Sequence, residues 1–252
     1  MEYLVTVVTV VRNSEEHIEK TISSVIADKP NWLQYIVIDG ASTDGTLALI
    51  DKYRDFIDCI ISEPDLGIYD AMNKGISLSQ GLCIGLLNSG DLYVEGTLSL
   101  VASYVKGFDE KYWVLAGGVE SISSKGALDE IFIPDLDVLR KRYRMMPLNH
   151  PAMFVSRAVY ADYGKYNVNY KISSDYEFVL KLVENNIPIH FIDRVLVRML
   201  SGGVSESLLS LPAMIYESYN ILRKYKSMAY CLLVAIRQLV SFIVNRLFRG
   251  RW

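Results

Sequence analysis

Two stretches of the chain are almost free of polar residues, LVTVVTVV at residues 4–11 and LQYIVID at 33–39. Short β-branched apolar runs of this kind read as buried strands. Between them the apolar positions recur at helical period, and Asn13 with Glu16 three residues later predicts a boxed helix start. The pattern continues with a predicted helix over Thr43–Arg54, a strand at DCIIS (58–62), a helix through IYDAMNKGISLS (68–79) and a strand at LCIGLL (82–87). Strands alternating with helices over short connections imply an α/β fold with a mainly parallel sheet flanked by helices on both faces. Ligands of such sheets bind beyond the carboxyl ends of the strands. Thr9–Asn13, Asp39–Thr46 and Asn88–Asp91 all fall there, so one crevice can collect them.

After Lys111 the periodicity weakens. Short strands are predicted at YWVLAGG (112–118), EIFIP (130–134) and PAMFVS (151–156), then a helix over Ser173–Glu184 and a strand in PIHFIDRVLVRM (188–199). No Pro-, Gly- or Ser-rich linker interrupts the chain, so residues 1–205 read as one domain with halves 1–110 and 111–205, followed by a helical tail over 206–252. The tail is strongly apolar from Met228 to Phe248, yet Arg237 ends its longest uncharged run well short of the ~20 residues a spanning helix needs. On a helical wheel Arg237, Gln238, Ser241, Asn245 and Arg249 share one arc. Leu232, Leu233, Ile236, Leu239, Val240, Ile243, Val244 and Leu247 occupy the rest. This predicts a helix lying in a membrane interface, or one packed on the domain or on a second subunit.

Charge strengthens the membrane reading. The 252 residues carry a net charge of -3, but no Asp or Glu follows Glu217, while Arg223, Lys224, Lys226, Arg237, Arg246, Arg249 and Arg251 do. A basic tail on an acidic body suits anionic headgroups. Cys59, Cys83 and Cys231 show neither metal-type spacing nor a disulfide framework, and a reducing cytosol is the simplest compartment. The first residues lack a basic n-region and a small-residue cleavage site, which argues against a signal peptide. The expected location is therefore cytoplasmic, peripheral on the inner face of the cell membrane.

Three stretches carry candidate chemistry. In VIDGASTDGT, turn and cap chemistry accounts for Asp44, but Asp39 ends a buried strand and needs a polar partner, for which a nucleotide base or ribose would serve. EPDLGIYDAMNKGI places Asp70, Asn73 and Lys74 early in a helix. In GLLNSGDLYV a buried run stops in small residues around a lone carboxylate, Asp91. The chain has no G-x-G-x-x-G after its first strand, no G-x-x-x-x-G-K-[ST] and no G-x-S-x-G, which moves dinucleotide enzymes, P-loop ATPases and serine hydrolases out of the front rank.

TVVTVVRNSEEHIEKTISSV, YIVIDGASTDGTLALI, SEPDLGIYDAMNKGISLSQG and IGLLNSGD, in this order and spacing, resemble the family 2 glycosyltransferases, inverting enzymes of GT-A fold. The likeness continues through NHPAMFVSRAVYADYGKYNVNYKISSDYEFVLKL and SGGVS, covering residues 4–205. Members most like this sequence assemble bacterial surface polysaccharides such as O-antigen, capsule or colanic-type exopolysaccharide. The resemblance implies that Thr9, Arg12 and Asp39 hold the base and ribose of a nucleotide sugar, with Lys74 and Ser89 also on the donor side. Ser89-Gly90-Asp91 stands where the family has its D-x-D motif, so Asp91 is the implied contact for Mn²⁺ or Mg²⁺. One carboxylate can suffice when donor phosphate oxygens and water complete the shell. Asp175 in ISSDYEF matches the family's general base, which takes the proton of the acceptor hydroxyl. His150 and Glu177 are candidate acceptor or phosphate contacts, Glu177 on a different helical face from Asp175.

The implied partners are a UDP-sugar by family default, or a GDP- or dTDP-sugar, a lipid-linked glycan acceptor and a membrane surface, with no nucleic acid. A non-catalytic sugar-nucleotide-binding or scaffold protein is the competing reading, favoured by the reduced metal motif. A nucleotidyltransferase ranks last, because TVVRNSEE lacks the glycine-rich loop such an enzyme needs.

Overall fold

A computed structural model describes residues 3–27, 29–123, 127–201 and 208–249, with side chains as far as residue 244. Residues 202–205 of SGGVS, and the side chains of Asn245, Arg246, Leu247, Arg249 and Arg251, lie outside that range. The strands are β1 (Val5–Val11), β2 (Leu33–Asp39), β3 (Cys59–Ser62), β4 (Cys83–Asn88), β5 (Leu92–Tyr93), β6 (Val114–Ile122), β7 (Leu128–Phe132), β8 (Met153–Ser156) and β9 (Ile189–Leu200). The helices are α1 (Ile18–Ile26), α2 (Thr46–Asp51), α3 (Ile68–Leu78), α4 (Thr97–Val105), α5 (Leu136–Arg140), α6 (Arg157–Tyr163), α7 (Ser174–Glu184), α8 (Leu211–Leu222) and α9 (Met228–Arg249).

The strands form one mixed sheet in the order β3-β2-β1-β4-β8-β6-β9-β5, with β7 paired to β6. The longer ladders, β1 with β2 and β4 and β6 with β9, are parallel. The antiparallel strand β8 pairs with both β4 and β6 and so stitches the two halves of the chain into one sheet. Every residue of β1 and β2 is buried, as their continuous apolar runs require. Alternate side chains feed two cores. Val7, Tyr35, Leu87 and Phe154 meet α1, α2 and α4 on one face, while Val8, Ile36, Met72 and Phe178 meet α3, α6 and α7 on the other. The helix α3 lies so close that a Cβ on Gly75 would sit 2.2 Å from Val8 Cγ1.

Several local expectations are corrected. Asn13 does not cap a helix: its φ is 47°, its Oδ1 accepts from the Thr43 N–H at 2.8 Å, and α1 begins only at Ile18. The side chain joins two loops instead of closing its own turn. The helix expected over Thr43–Arg54 is the six-residue α2, because Asp44, Gly45 and the preceding loop are used in tertiary hydrogen bonds. Weak local patterns also hid β5, α4 and α6.

The tail is more integrated than its sequence suggests. Ile221 and Leu222 of α8 and Cys231 and Val234 of α9 join Tyr176 and Leu180 of α7 in a third apolar cluster. Gln238, expected beside Arg237 on the polar arc, falls on the inward stripe with Cys231 and Val234, and its buried Oε1 has no hydrogen-bond partner among the described residues. Leu232, Leu233, Ile236, Leu239, Val240, Ile243 and Val244 face outward and are exposed. No helix of the described residues is long and apolar enough to cross a membrane.

Candidate active site

The register brings three loops level. Val11 pairs with Asp39 and Val10 with Asn88, so β1, β2 and β4 end at one height and their following loops share a rim. Cross-links hold these loops together. Asn13 N–H donates to Ser42 Oγ (2.8 Å), Ser14 N–H to Thr46 Oγ1 (2.7 Å) and Gly45 N–H to Glu15 Oε2 (2.7 Å), while the Ser14 and Ser89 hydroxyls lie 2.8 Å apart. Ser89, expected on the donor side, thus sits on this rim.

Asp39 is fully buried, and its need for a polar partner is met within the chain. Its carboxylate accepts from the Ser42 N–H (3.1 Å), the Ser42 hydroxyl and the Ser62 hydroxyl (2.6 Å). A nucleotide is therefore not required to explain this residue, although a carboxylate retains capacity for a further donor. Thr9 is a clearer correction. It has no exposed surface, and its hydroxyl lies 3.1 Å from that of Tyr35 inside the core, so it cannot touch a ligand in the crevice. Strand alternation turns it inward.

Arg12 is exposed on the rim. Gly40 separates it from Asp65: a Cβ at Gly40 would meet the Asp65 carboxylate and approach Arg12 Cδ to 3.4 Å. Asp65, which accepts from the Gly67 N–H at 2.8 Å, is a rim carboxylate the sequence reading passed over. Lys74 is committed to Glu63 (2.8 Å), Asp70 (3.6 Å) and the Pro64 carbonyl (2.9 Å). The hydrogen bond to Glu63 raises its pKa, and the ammonium fastens the 63–65 turn to α3.

The second half of the chain adds the reactive corner. His150 comes from the turn before β8. Its Nε2 lies 3.1 Å from the Asn88 side-chain nitrogen and its Nδ1 3.5 Å from Asp175 Oδ2. Donation from the Asn88 amide leaves Nε2 as acceptor and puts the ring proton on Nδ1, facing Asp175. The other Asp175 oxygen accepts from the Tyr176 N–H (2.8 Å) and lies 3.2 Å from the Tyr69 hydroxyl, which also donates to the Ile172 carbonyl (2.6 Å). Burial, and then the charge of Asp175, pushes the Tyr69 hydroxyl up, so it remains a donor. Tyr69 is a second residue sequence reasoning missed; its place in α3, far from Asp175 in the chain, gave no signal. The Asp175 side chain remains 23% exposed, so its carboxylate can be reached from the crevice. Glu177 faces away and pairs at 2.6 Å with Lys224, in the turn of the C-terminal hairpin that α8 and α9 form, which engages it outside this corner.

Asp91 lies under the same corner. Burial pushes its carboxyl up to about 7, opposed by the neighbouring His150 and by the Leu200 N–H. Asn88 Oδ1 is buried with no hydrogen-bond partner among the described residues. No three His, Cys, Asp or Glu of the described residues converge as a ready-made metal cluster. A carboxylate short of counter-charge and a nearby orphaned amide oxygen nonetheless fit a hard divalent cation whose remaining ligands come from phosphate and water. Gly90, at φ 103°, adopts a conformation open to glycine and keeps the turn clear of side chains.

Comparison with known proteins bears on the family and the fold. Residues 6–157 match the model of Glycosyl transferase family 2. An uncharacterized glycosyltransferase of Mycobacterium tuberculosis is 30% identical over 193 residues, covering 70% of this chain and 68% of the relative. Among solved structures, Staphylococcus aureus TarS 1–349 in complex with UDP superposes with a TM-score of 0.64 at 20% identity, over 98% of this chain and 72% of that one. The mannosyltransferase PcManGT from Pyrobaculum calidifontis, in complex with GDP-Man and Mn²⁺, gives 0.59 at 14% identity, over 100% of this chain and 89% of that one. The mixed sheet with flanking helices is thus the GT-A arrangement that the sequence led us to expect.

Proposed function

The chain belongs to glycosyl transferase family 2 and is a glycosyltransferase, and from that premise we propose that it moves a sugar, with inversion, from a nucleoside diphosphate donor to a lipid-linked glycan. The observation that carries the proposal is the corner in which Asp175, partly open, faces His150 beside Asn88 and Asp91 at the carboxyl ends of the strands. The donor's nucleoside lies along the rim of Arg12 and Asp65, on a loop that the buried Asp39 braces through Ser42, and its diphosphate points toward Ser89–Asp91. Asp175 takes the proton of the acceptor hydroxyl as that oxygen attacks the anomeric carbon from the face opposite the diphosphate. The bond from that carbon to the diphosphate breaks, and its electron pair leaves on the phosphate oxygen. His150, donating from Nδ1, holds the Asp175 carboxylate in line for this transfer. Asp91 and Asn88 would hold a divalent cation, which would supply positive charge to offset that of the departing diphosphate.

The tail supports the reading of acceptor and location. The outward apolar face of α9 and the absence of acidic residues after Glu217 support seating on an anionic membrane, on the cytoplasmic side, where a lipid-linked glycan of surface polysaccharide assembly would be met. The reduced motif Ser89-Gly90-Asp91, with one carboxylate in place of two, favours a second reading, a sugar-nucleotide-binding protein without turnover.

Thermal unfolding with UDP, GDP and dTDP, each with and without Mn²⁺, tests the donor site in wild type and Asp91→Ala. Binding to the folded state raises its stability by RT ln(1 + [L]/Kd), about 2.7 kcal/mol at a hundredfold excess over Kd. One nucleotide should stabilise the wild type only with Mn²⁺ and lose that effect in Asp91→Ala. Equal shifts in the two proteins would remove Asp91 from the cation site, and no shift with any nucleotide would count against the donor itself.

A further inference from the structure

Glu217 sits within α8 and is only 6% exposed, yet no basic side chain pairs with it among the described residues. Its carboxylate is spent on backbone. Oε1 accepts from the Lys171 N–H at 2.7 Å, and Oε2 from the N–H groups of Ile172 (3.0 Å) and Ser173 (2.8 Å). These are three successive donors of the loop that opens α7, ending two residues before Asp175.

The same loop is gripped from its other side by α3 and the turn before it. Tyr69 donates to the Ile172 carbonyl at 2.6 Å, and Lys171 Nζ donates to the Leu66 carbonyl at 3.0 Å. Residues 171–173 are thus stretched between the sheet's helical layer and the C-terminal hairpin. Where they lie fixes Asp175, whose Oδ1 is 3.2 Å from the same Tyr69 hydroxyl and whose Oδ2 is 3.5 Å from His150. A misplacement of about 1 Å at a reacting group can cost 10²-fold in rate.

We propose that Glu217 is a positioning residue: through its carboxylate the C-terminal hairpin sets the loop that presents Asp175 to the acceptor. The inference rests on the reading of Asp175 as the base. A carboxylate suits the task because three N–H groups need acceptors and both of its oxygens accept. A glutamine offers one accepting oxygen, and its amide would turn donors toward donors. Glu217 touches no reacting atom and acts only through the loop.

The test uses the full-length chain and measures nucleoside diphosphate release from UDP-glucose, UDP-N-acetylglucosamine, GDP-mannose and dTDP-rhamnose, with bacterial membranes supplying acceptor. Glu217→Gln should lower kcat by about 10- to 100-fold while donor KM stays within about twofold, since no residue of the nucleotide rim contacts it. Amide hydrogen exchange at Ile172 and Ser173 should accelerate in the same variant. Glu217→Asp, which keeps the charge on a shorter stem, should recover part of the rate, and carries the test alone if Glu217→Gln fails to fold. Ile221→Val loosens hairpin packing by one methyl while leaving the Glu217 carboxylate and its three N–H donors in place, and should leave kcat at the wild-type value. An unchanged kcat in Glu217→Gln, or an equal loss in Ile221→Val, would overturn the proposal. If Asp175→Asn abolishes release while Glu217→Gln keeps it, positioning alone falls. If Asp175→Asn also turns over normally, the base assignment falls and the positioning role with it.

Discussion

Asp91 has a buried carboxyl and little positive charge nearby to hold it ionised. The unfolded chain releases this proton near 3.8, the folded protein near 7. Between those values the cation-free native state holds a proton that the unfolded state lacks, so its stability falls as pH rises through the window. In chelator, Asp91→Asn should therefore be more stable than wild type at pH 8, by on the order of 1–4 kcal/mol, and nearly equal to it at pH 4. Urea unfolding at the two pH values checks this; a gap that does not change with pH would show that Asp91 finds its counter-charge inside the chain. What the sequence could say of single residues was their type and place on a strand end, not their partners. Asp39 needed a polar neighbour and has two serines, one of them, Ser62, on β3. Thr9 stood at the right strand end but on its inward face.

Among the elements, legibility followed how local the cause was. The runs of β1, β2, β3 and β4 and the periodicity of α3 and α7 lie in contiguous residues, and the structure has them within a residue or two of expectation. Asn13 was misread because its side chain serves Thr43 in another loop, a contact no local pattern contains. In α9 the apolar arc that the wheel selects is the exposed one as far as Val244, but Gln238, expected on the polar arc, lies on the inner stripe with Cys231 and Val234, which α7 and α8 cover. Its exposed residues define an experiment on that element. Leu233→Gln, Ile236→Gln and Val240→Gln, combined, should abolish sedimentation with phosphatidylglycerol vesicles while leaving unfolding within roughly 0.5 kcal/mol per site of wild type. Vesicle binding that survives these changes would mean the outward face serves another purpose.

In the molecule as a whole, the two halves divide the work. The first supplies parallel strands whose level ends form the rim proposed for the nucleotide and carry Asn88 and Asp91. The second, joined through β8, brings His150 and Asp175 to the same edge, and the hairpin grips the loop before α7 from outside. Resemblance pointed to Asp91 and Asp175 separately; their convergence on one histidine needed the fold. Comparing wild type with Asp175→Asn for nucleotide release in the presence of membranes tests this arrangement most directly, with nucleoside diphosphate thermal shifts measured on both. Asp175→Asn should bind the nucleotide as wild type does and fold equally well, yet release it about 10²- to 10⁴-fold more slowly. Release at the wild-type rate would contradict the assignment of Asp175 as the base that starts the transfer.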